Sequence, residues 1–298
     1  MTTSRSAAFS PSPLFLLQHK NMLKAMGKVV LKSLHLIQPH QAFTNWQDIP
    51  AIEQTIPAPE DALVDAYVAW CGAPANRYTH TLPPHMLSQW GLVLGTELAL
   101  KTPYDLSKVI NQGIDMTIHR DLPRQQPLRL YAKIDSIKEV DGAARLVIHL
   151  TTGTQLQPNL VEARIHMTFL LPGFKKNRKA KPFTETPAWQ AQGTWQASQH
   201  DGLKFALLTG DFNPIHWILL AGKLSAFKGK VLHGFGMFVR SYELLPHPVK
   251  SIEVRFIKPV VLPSPVLQVE TYRDDSGRQL FRLSSAGGNT VHLSGQYN

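Results

Sequence analysis

An internal repeat constrains the fold of this chain more than any other feature of its sequence. A shift of 138 residues aligns three separated segments: residues 114–118 with 252–256, residues 127–128 with 265–266, and Gly72 with Gly210. Because one offset aligns all three, the sequence predicts a structural unit that occurs twice.

Each copy is predicted to contain a helix followed by antiparallel strands. Residues 86–100 are apolar nearly all round, which is typical of a buried helix, and a second apolar helix is expected at residues 234–245. Alternating apolar residues predict strands at 113–119, 128–134, 145–150 and 162–170, and again at 251–257, 266–272, 280–284 and 290–297. Since the connections between them are short, the strands should pair antiparallel, and the predicted fold class is α+β.

The remaining segments flank or join the two copies. The 298 residues are enough for two domains of about 150 residues each. We expect a basic helical extension at 1–50, the first repeat at 51–171, a basic linker at 172–200 and the second repeat at 201–298.

The predicted extension contains a helix over residues 14–37 with a lysine at every fourth position, namely Lys20, Lys24, Lys28 and Lys32. This stripe is either the solvated face of a helix packed on the body or a docking face for a membrane surface or carrier protein.

The composition limits the class of partner. The net charge is +10, which favours an anionic partner, and a basic cluster occupies residues 175–181. No nucleic-acid recognition module accompanies the basic residues, so a nucleic-acid partner is not expected. The single cysteine, Cys71, excludes an intramolecular disulfide and fits a reducing, cytoplasmic location. No run of about 18 apolar residues predicts a membrane span, and no signal peptide is recognised.

The residue types of one loop predict acid–base chemistry. Asp211 and His216 lie five residues apart, between Gly210 and a segment stiffened by Pro214. Asn213 can hold the turn through a bond to nearby backbone. A carboxylate and an imidazole that face one point can hold a water molecule and move its proton. The alternative is a structural loop of Asx-turns with a structural histidine.

His233 and Gly234 come just before the second apolar helix. The Gly234 N–H is expected to lie at the positive end of that helix, where it can bind an oxygen that gains negative charge. His233 is expected to orient the start of the helix. The thirteen histidines show no metal-ligand spacing, and residues 211–213 lack the later acidic ligands of a calcium loop, so no metal site is predicted.

Residues 209–216, followed by residues 226–234, resemble the signature of the MaoC-like dehydratases, the (R)-specific enoyl-CoA hydratase family. The resemblance implies a double hotdog fold, in which two antiparallel sheets each wrap a long central helix. The first copy resembles the degenerate half of such proteins, since the repeat places Ala73 opposite Asp211 and Tyr78 opposite His216.

The resemblance also implies roles for the site residues. Asp211 and His216 would activate the water that adds across a trans-2-enoyl thioester, and the Gly234 N–H would bind the thioester oxygen. Asn213 and His233 are assigned to substrate binding, where Asn213 supports the loop. Many members carry an acid two positions after the motif histidine, where this chain has Ile218. The apolar run 217–220 could line an acyl tunnel or pack on the other half.

The family's chemistry needs no metal and no redox cofactor. The expected substrate is a thioester of coenzyme A or acyl carrier protein in fatty-acid metabolism, handled by a monomeric pseudo-dimer or a homodimer. Two other functions stay open: an acyl-thioester hydrolase, and a non-catalytic module that binds an acyl thioester or its carrier.

Overall fold

A computed structural model describes residues 10–33, 43, 45–106, 109–174, 188–225, 227–288 and 290–298. The end of the predicted N-terminal helix, residues 34–37, lies outside the described residues, and so does the basic cluster 175–181.

The described residues form the following helices and strands in chain order. The helices are α1 (Lys20–Ser33), α2 (Asp61–Cys71), α3 (Ser88–Ala99), α4 (Asp201–Thr209), α5 (Leu219–Leu224) and α6 (Gly234–Tyr242). The strands are β1 (Ile52–Ile56), β2 (Thr81–Leu82), β3 (Val109–Ile118), β4 (Leu122–Pro123), β5 (Leu128–Val140), β6 (Ala143–Gly153), β7 (Val161–Leu170), β8 (Gln190–Trp195), β9 (Ser251–Phe256), β10 (Leu267–Arg273), β11 (Gln279–Ser285) and β12 (Val291–Tyr297). The predicted strands and both central helices are therefore confirmed, with shifted ends.

Ten of the strands form one continuous antiparallel sheet, in the order β1-β5-β6-β7-β3-β9-β12-β11-β10-β8. Five strands come from each copy, and the copies meet where β3 pairs with β9, with Ile114 opposite Val254. The two predicted sheets are thus joined edge to edge. The joining satisfies the backbone groups of two strands that would otherwise be exposed edges.

The predicted linker at 172–200 needs a correction, because its residues 190–195 form β8. This strand pairs with β10 and closes the outer edge of the second half. Its sequence, QAQGTW, has no apolar alternation, and its side chains are exposed or half-buried. An edge strand without a buried face gives no periodic signal in the sequence.

The two central helices lie against the sheet. A Cβ at Gly91 of α3 would be 2.9 Å from the Leu150 Cδ2 atom, so the helix approaches β6 closely. In the second half, Phe235 of α6 packs edge-on against Phe256 at the end of β9. These contacts confirm the predicted buried helices, each beside its own strands.

The helices α2 and α4 show the repeat most clearly. They end at Gly72 and Gly210, which have φ angles of 80° and 82°. This left-handed conformation is readily adopted by glycine and closes the helix end. The 138-residue offset therefore places equivalent helix ends on one another, although α4 itself gave no clear signal in the sequence.

The N-terminal segment packs on the body. It consists of a 3-10 helix, Pro13–His19, and then α1. Met22 and Ala25 are buried, whereas Lys20, Lys24 and Lys28 are exposed. These three lysines therefore lie on the outer side of a helix that packs on the body, which leaves both interpretations of the stripe open. Among the described residues, no helix is long and apolar enough to cross a membrane.

Candidate active site

The loop after α4 is a rigid turn built by short-range bonds. The Asp211 Oδ1 atom accepts a hydrogen bond from the Asn213 N–H at 3.3 Å. The Asn213 side-chain oxygen accepts one from the Ile215 N–H at 3.3 Å and so caps the 3-10 helix Pro214–His216. Asn213 is exposed and supports the loop. Through this cap it fixes the turn that carries His216.

His216 is buried and has one ring nitrogen engaged. Its Nδ1–H donates to the Val231 carbonyl at 2.7 Å, which leaves the Nε2 lone pair available. Burial lowers the pKa of His216, although the Asp211 charge and the bond to Val231 act in the opposite direction. The ring is therefore neutral at neutral pH and can accept a proton at Nε2.

His233 holds the loop and stacks on His216. Its Nε2–H donates to the Asp211 backbone carbonyl at 2.9 Å, and its ring lies 3.6 Å from the His216 ring, centroid to centroid. Burial, helped by the neighbouring His216, lowers the pKa of His233 well below its usual range. Although His233 is the N-cap residue of α6, its side chain bonds the loop and does not cap the helix.

Gly234 begins α6 next to these histidines. Among the described residues, its N–H has no hydrogen-bond partner in the protein, so it is free to bind a ligand oxygen. A Cβ at this position would lie 2.5 Å from the Phe256 Cδ2 atom. Glycine is therefore required here by the close approach of Phe256.

The side chains of Asp211, His216 and His233 converge. One carboxylate oxygen and one nitrogen from each ring lie within 4.8 Å of one another. A water molecule that makes two hydrogen bonds of about 2.8 Å can join atoms up to about 5.6 Å apart, so these separations are within the reach of one bridging water. The predicted meeting of Asp211 and His216 is therefore found in the structure.

The same three side chains are close enough to be considered as metal ligands, but their geometry does not fit that use. The His233 Nε2 carries a hydrogen, because it donates to the Asp211 carbonyl. The His233 nitrogen that lies 4.0 Å from the Asp211 carboxylate therefore has no lone pair to offer a metal ion.

A cavity of about 300 Å³ lies between the N-terminal segment and α3, and no pattern in the sequence predicts it. Its apolar lining comes from Leu17, Met22, Ile56, Leu63, Trp90 and Val93. It adjoins the loop, since a Cβ at Gly210 would be 2.9 Å from the His19 Cβ and 3.0 Å from the Met22 Cβ.

The apolar run 217–220 is exposed and does not belong to the lining of this cavity. The exposed fractions of Trp217, Ile218, Leu219 and Leu220 are 37%, 38%, 54% and 67%. The expectation of a buried run was therefore wrong.

The first half has an equivalent region with different chemistry. Thr81 pairs with Pro123 as Val231 pairs with Val261, and Pro123 and Val261 are related by the 138-residue offset. Three residues further along, Pro84 therefore takes the place of Gly234. Proline has no N–H, so this half cannot offer an oxygen the same bond.

A buried carboxylate from the second half occupies this region. Glu243 accepts hydrogen bonds from Tyr78 at 2.8 Å, His85 at 2.7 Å and Arg77 at 2.5 Å. Burial acts to raise the pKa of Glu243, but the bonds from His85 and Tyr78 and the Arg77 charge lower it overall. No local sequence pattern predicts this network, because Glu243 lies 158 residues along the chain from His85.

The comparisons with known proteins concern the family of the second half and the fold of the whole chain. Residues 175–293 match the family model of the MaoC like domain. The second half of the chain is a MaoC-like dehydratase domain. No curated protein sequence gives a significant match.

Solved structures of the same fold cover most of the chain. HtdX of Mycobacterium tuberculosis has 18% identity and a TM-score of 0.66, over 83% of this chain and 99% of its own. A MaoC-like dehydratase from Phytophthora capsici has 17% identity and a TM-score of 0.65, over 85% and 97%. The peroxisomal multifunctional enzyme type 2 of Drosophila melanogaster has 20% identity and a TM-score of 0.64, over 83% of this chain and 48% of that longer protein. These likenesses confirm the double hotdog fold for both halves of the chain.

Proposed function

We propose that this MaoC-like protein is a hydro-lyase that hydrates trans-2-enoyl thioesters to (3R)-hydroxyacyl thioesters, and catalyses the reverse dehydration. The observation that carries the proposal is the convergence of the Asp211 carboxylate and the His216 imidazole beside the free Gly234 N–H. The substrate would be a thioester of coenzyme A or of acyl carrier protein.

In the hydration direction, the Asp211 carboxylate holds the water, and the His216 Nε2 removes one of its protons. The water oxygen bonds to the β-carbon, and electrons move onto the thioester oxygen, which the Gly234 N–H stabilises. The resulting enolate collapses and takes up a proton at the α-carbon from the protonated histidine. The two side chains end as they began, and one water has been added.

The acyl chain needs an apolar space near this loop. The 300 Å³ cavity has apolar side chains from Met22, Leu63 and Trp90 beside polar ones such as Gln54 and Gln89, and it adjoins the loop because His19 and Met22 line it and also contact Gly210. We propose that the cavity receives the acyl chain, alongside α3. The net charge of +10 favours the phosphates of coenzyme A or the acidic surface of a carrier protein.

The function is tested with Asp211→Asn and His216→Ala, assayed on crotonyl-CoA. Each change should lower kcat/KM by about 10²–10⁴-fold, since each removes one acid–base group. Tyr78→Phe is the matched control, because Tyr78 is the counterpart of His216 in the first half. The kcat/KM of this variant should stay near that of the unchanged protein. Near-normal hydration by a folded Asp211→Asn or His216→Ala variant would contradict the assigned role.

The same assay separates hydration from hydrolysis. A hydratase removes the enoyl absorbance without releasing thiol, whereas a thioester hydrolase releases free coenzyme A. Thiol release that depends on Asp211 would replace the proposal by a hydrolase, and absence of both signals across a panel of chain lengths and carriers would favour a binding module.

A further inference from the structure

Two exposed apolar segments lie next to the catalytic loop. The first, here called the apolar patch, consists of Trp217, Ile218, Leu219, Leu220, Leu224 and Phe227. The second is the N-terminal helical segment, with Leu14, Leu17, Leu23 and Leu31 exposed. Among the described residues, these ten side chains are more than half of the nineteen large hydrophobic side chains that are exposed. Such concentration marks an interaction surface, whereas scattered exposed hydrophobic residues do not.

Both segments carry only positive charge. Residues 212–242 contain Lys223, Lys228 and Lys230 around the apolar patch, and no aspartate or glutamate. The N-terminal segment exposes Lys20, Lys24 and Lys28, and the chain has no acidic residue before Asp48. An apolar surface surrounded by lysines is complementary to a surface that is apolar within and anionic outside.

The two segments also adjoin the loop and the cavity. Leu219, the first residue of α5, comes three residues after His216, and α5 packs against the 3-10 helix that carries this histidine. On the other side, His19 and Met22 contact Gly210. Leu17 is 64% exposed and also lines the cavity. The exposed surface of the N-terminal helical segment is therefore continuous with the proposed acyl space.

We propose that the apolar patch and the N-terminal helical segment bind the surface of an anionic lipid membrane. An acidic carrier protein would match the lysines, but it would leave unexplained why Leu220 and Leu224 are 67% and 81% exposed on a short helix. A lipid surface accommodates both the aliphatic side chains and the lysines. That a membrane-bound enzyme would receive long-chain acyl thioesters rests on the proposed function, whereas the binding itself does not.

The test is co-sedimentation of the full chain with vesicles in the absence of substrate. Vesicles of phosphatidylcholine and phosphatidylglycerol in equal parts should retain the protein, and phosphatidylcholine alone should retain much less. The double variant Leu220→Ser/Leu224→Ser should lower the partition into anionic vesicles at least tenfold. The matched control is Leu156→Ser, because Leu156 is 92% exposed on a loop of the first half, and its partition should be unchanged.

Several results would overturn the proposal. They are a failure of the unchanged protein to bind anionic vesicles, and binding that the double variant does not weaken. If the double variant instead lowers affinity for acyl carrier protein or dissociates a dimer, with no vesicle binding, the patch serves that partner. Crotonyl-CoA hydration by the double variant should be normal, so a failed membrane proposal is distinguishable from a failed catalytic one.

Discussion

The 138-residue repeat gives each half a region that corresponds to the loop 209–216. The two regions differ in the chemical groups that they carry. In the second half, Asp211 and His216 converge beside a free N–H. In the first half, Ala73 and Tyr78 stand in place of the carboxylate and the imidazole, and Pro84 stands in place of the glycine.

The first half has a cavity in this region although it lacks these groups. A cavity of about 410 Å³ remains there, lined by Arg77, Tyr78 and Pro84 among others. Its polar side chains bond Glu243 of the other half. The two halves therefore share a scaffold. The region of the first half lacks the carboxylate and the imidazole, and it forms a polar contact between the halves instead.

The largest expected effect on kcat is that of Gly234→Pro. This change gives the second half the proline that the first half has at the equivalent position, Pro84. Proline is tolerated at the first position of a helix, but it removes the N–H that the proposed mechanism assigns to the thioester oxygen. Loss of one such donor lowers kcat by about 10²–10³-fold.

Gly234→Ala is the control for this change, since it brings the same Cβ against Phe256 but keeps the N–H. The measurement is the ratio of kcat values for the two variants. Equal losses in both would show that crowding against Phe256, and not the missing N–H, limits the reaction.

A smaller effect, on stability alone, is expected from Glu243→Ala. The change leaves Tyr78, His85 and Arg77 without their shared acceptor. Removing one partner of such a buried pair costs about 3 kcal/mol of unfolding free energy. Urea denaturation measures this cost, and hydration per folded molecule should be unaltered.

Glu53→Ala supplies the comparison for Glu243→Ala, because it breaks the exposed ion pair with Arg129 and should cost about 0–1 kcal/mol. If Glu243→Ala were no more destabilising than Glu53→Ala, the network would not hold the halves together. If it abolished hydration in folded protein, the two regions would not be independent.

The smallest expected effect concerns the pH profile of kcat/KM, namely the pH at which activity is lost on the acid side. Burial lowers the pKa of His216 below the ordinary histidine value of about 6.5, so the base remains unprotonated below that pH. We expect kcat/KM to persist through pH 6.5 and to fall only as the pH drops through the lowered pKa.

The free energy of unfolding should begin to decline at a higher pH than kcat/KM does, from about pH 6.5 downward, because the unfolded chain there binds protons that buried His216 and His233 do not. An acid limb at or above pH 6.5, followed through the hydration of crotonyl-CoA, would contradict a neutral buried base.

Local patterns in the sequence predict the repeat, the secondary structure and the residues of one loop. The 138-residue offset, the alternating strands and the two apolar central helices follow from periodicity, which is read residue by residue. Asp211, His216 and Gly234 could be singled out because their spacing and the glycine and proline around them limit one short loop. Asn213 belongs with them, since its cap reaches only two residues along the chain.

The tertiary structure decided what depends on contacts between distant residues. The stacking of His233 on His216, the Val231 carbonyl that fixes the His216 tautomer, and the carboxylate of Glu243 among residues of the first half join segments that no local pattern links. The joining of the sheets through β3 and β9, and the polar edge strand β8, also lay beyond the sequence, because backbone pairing depends little on side-chain type.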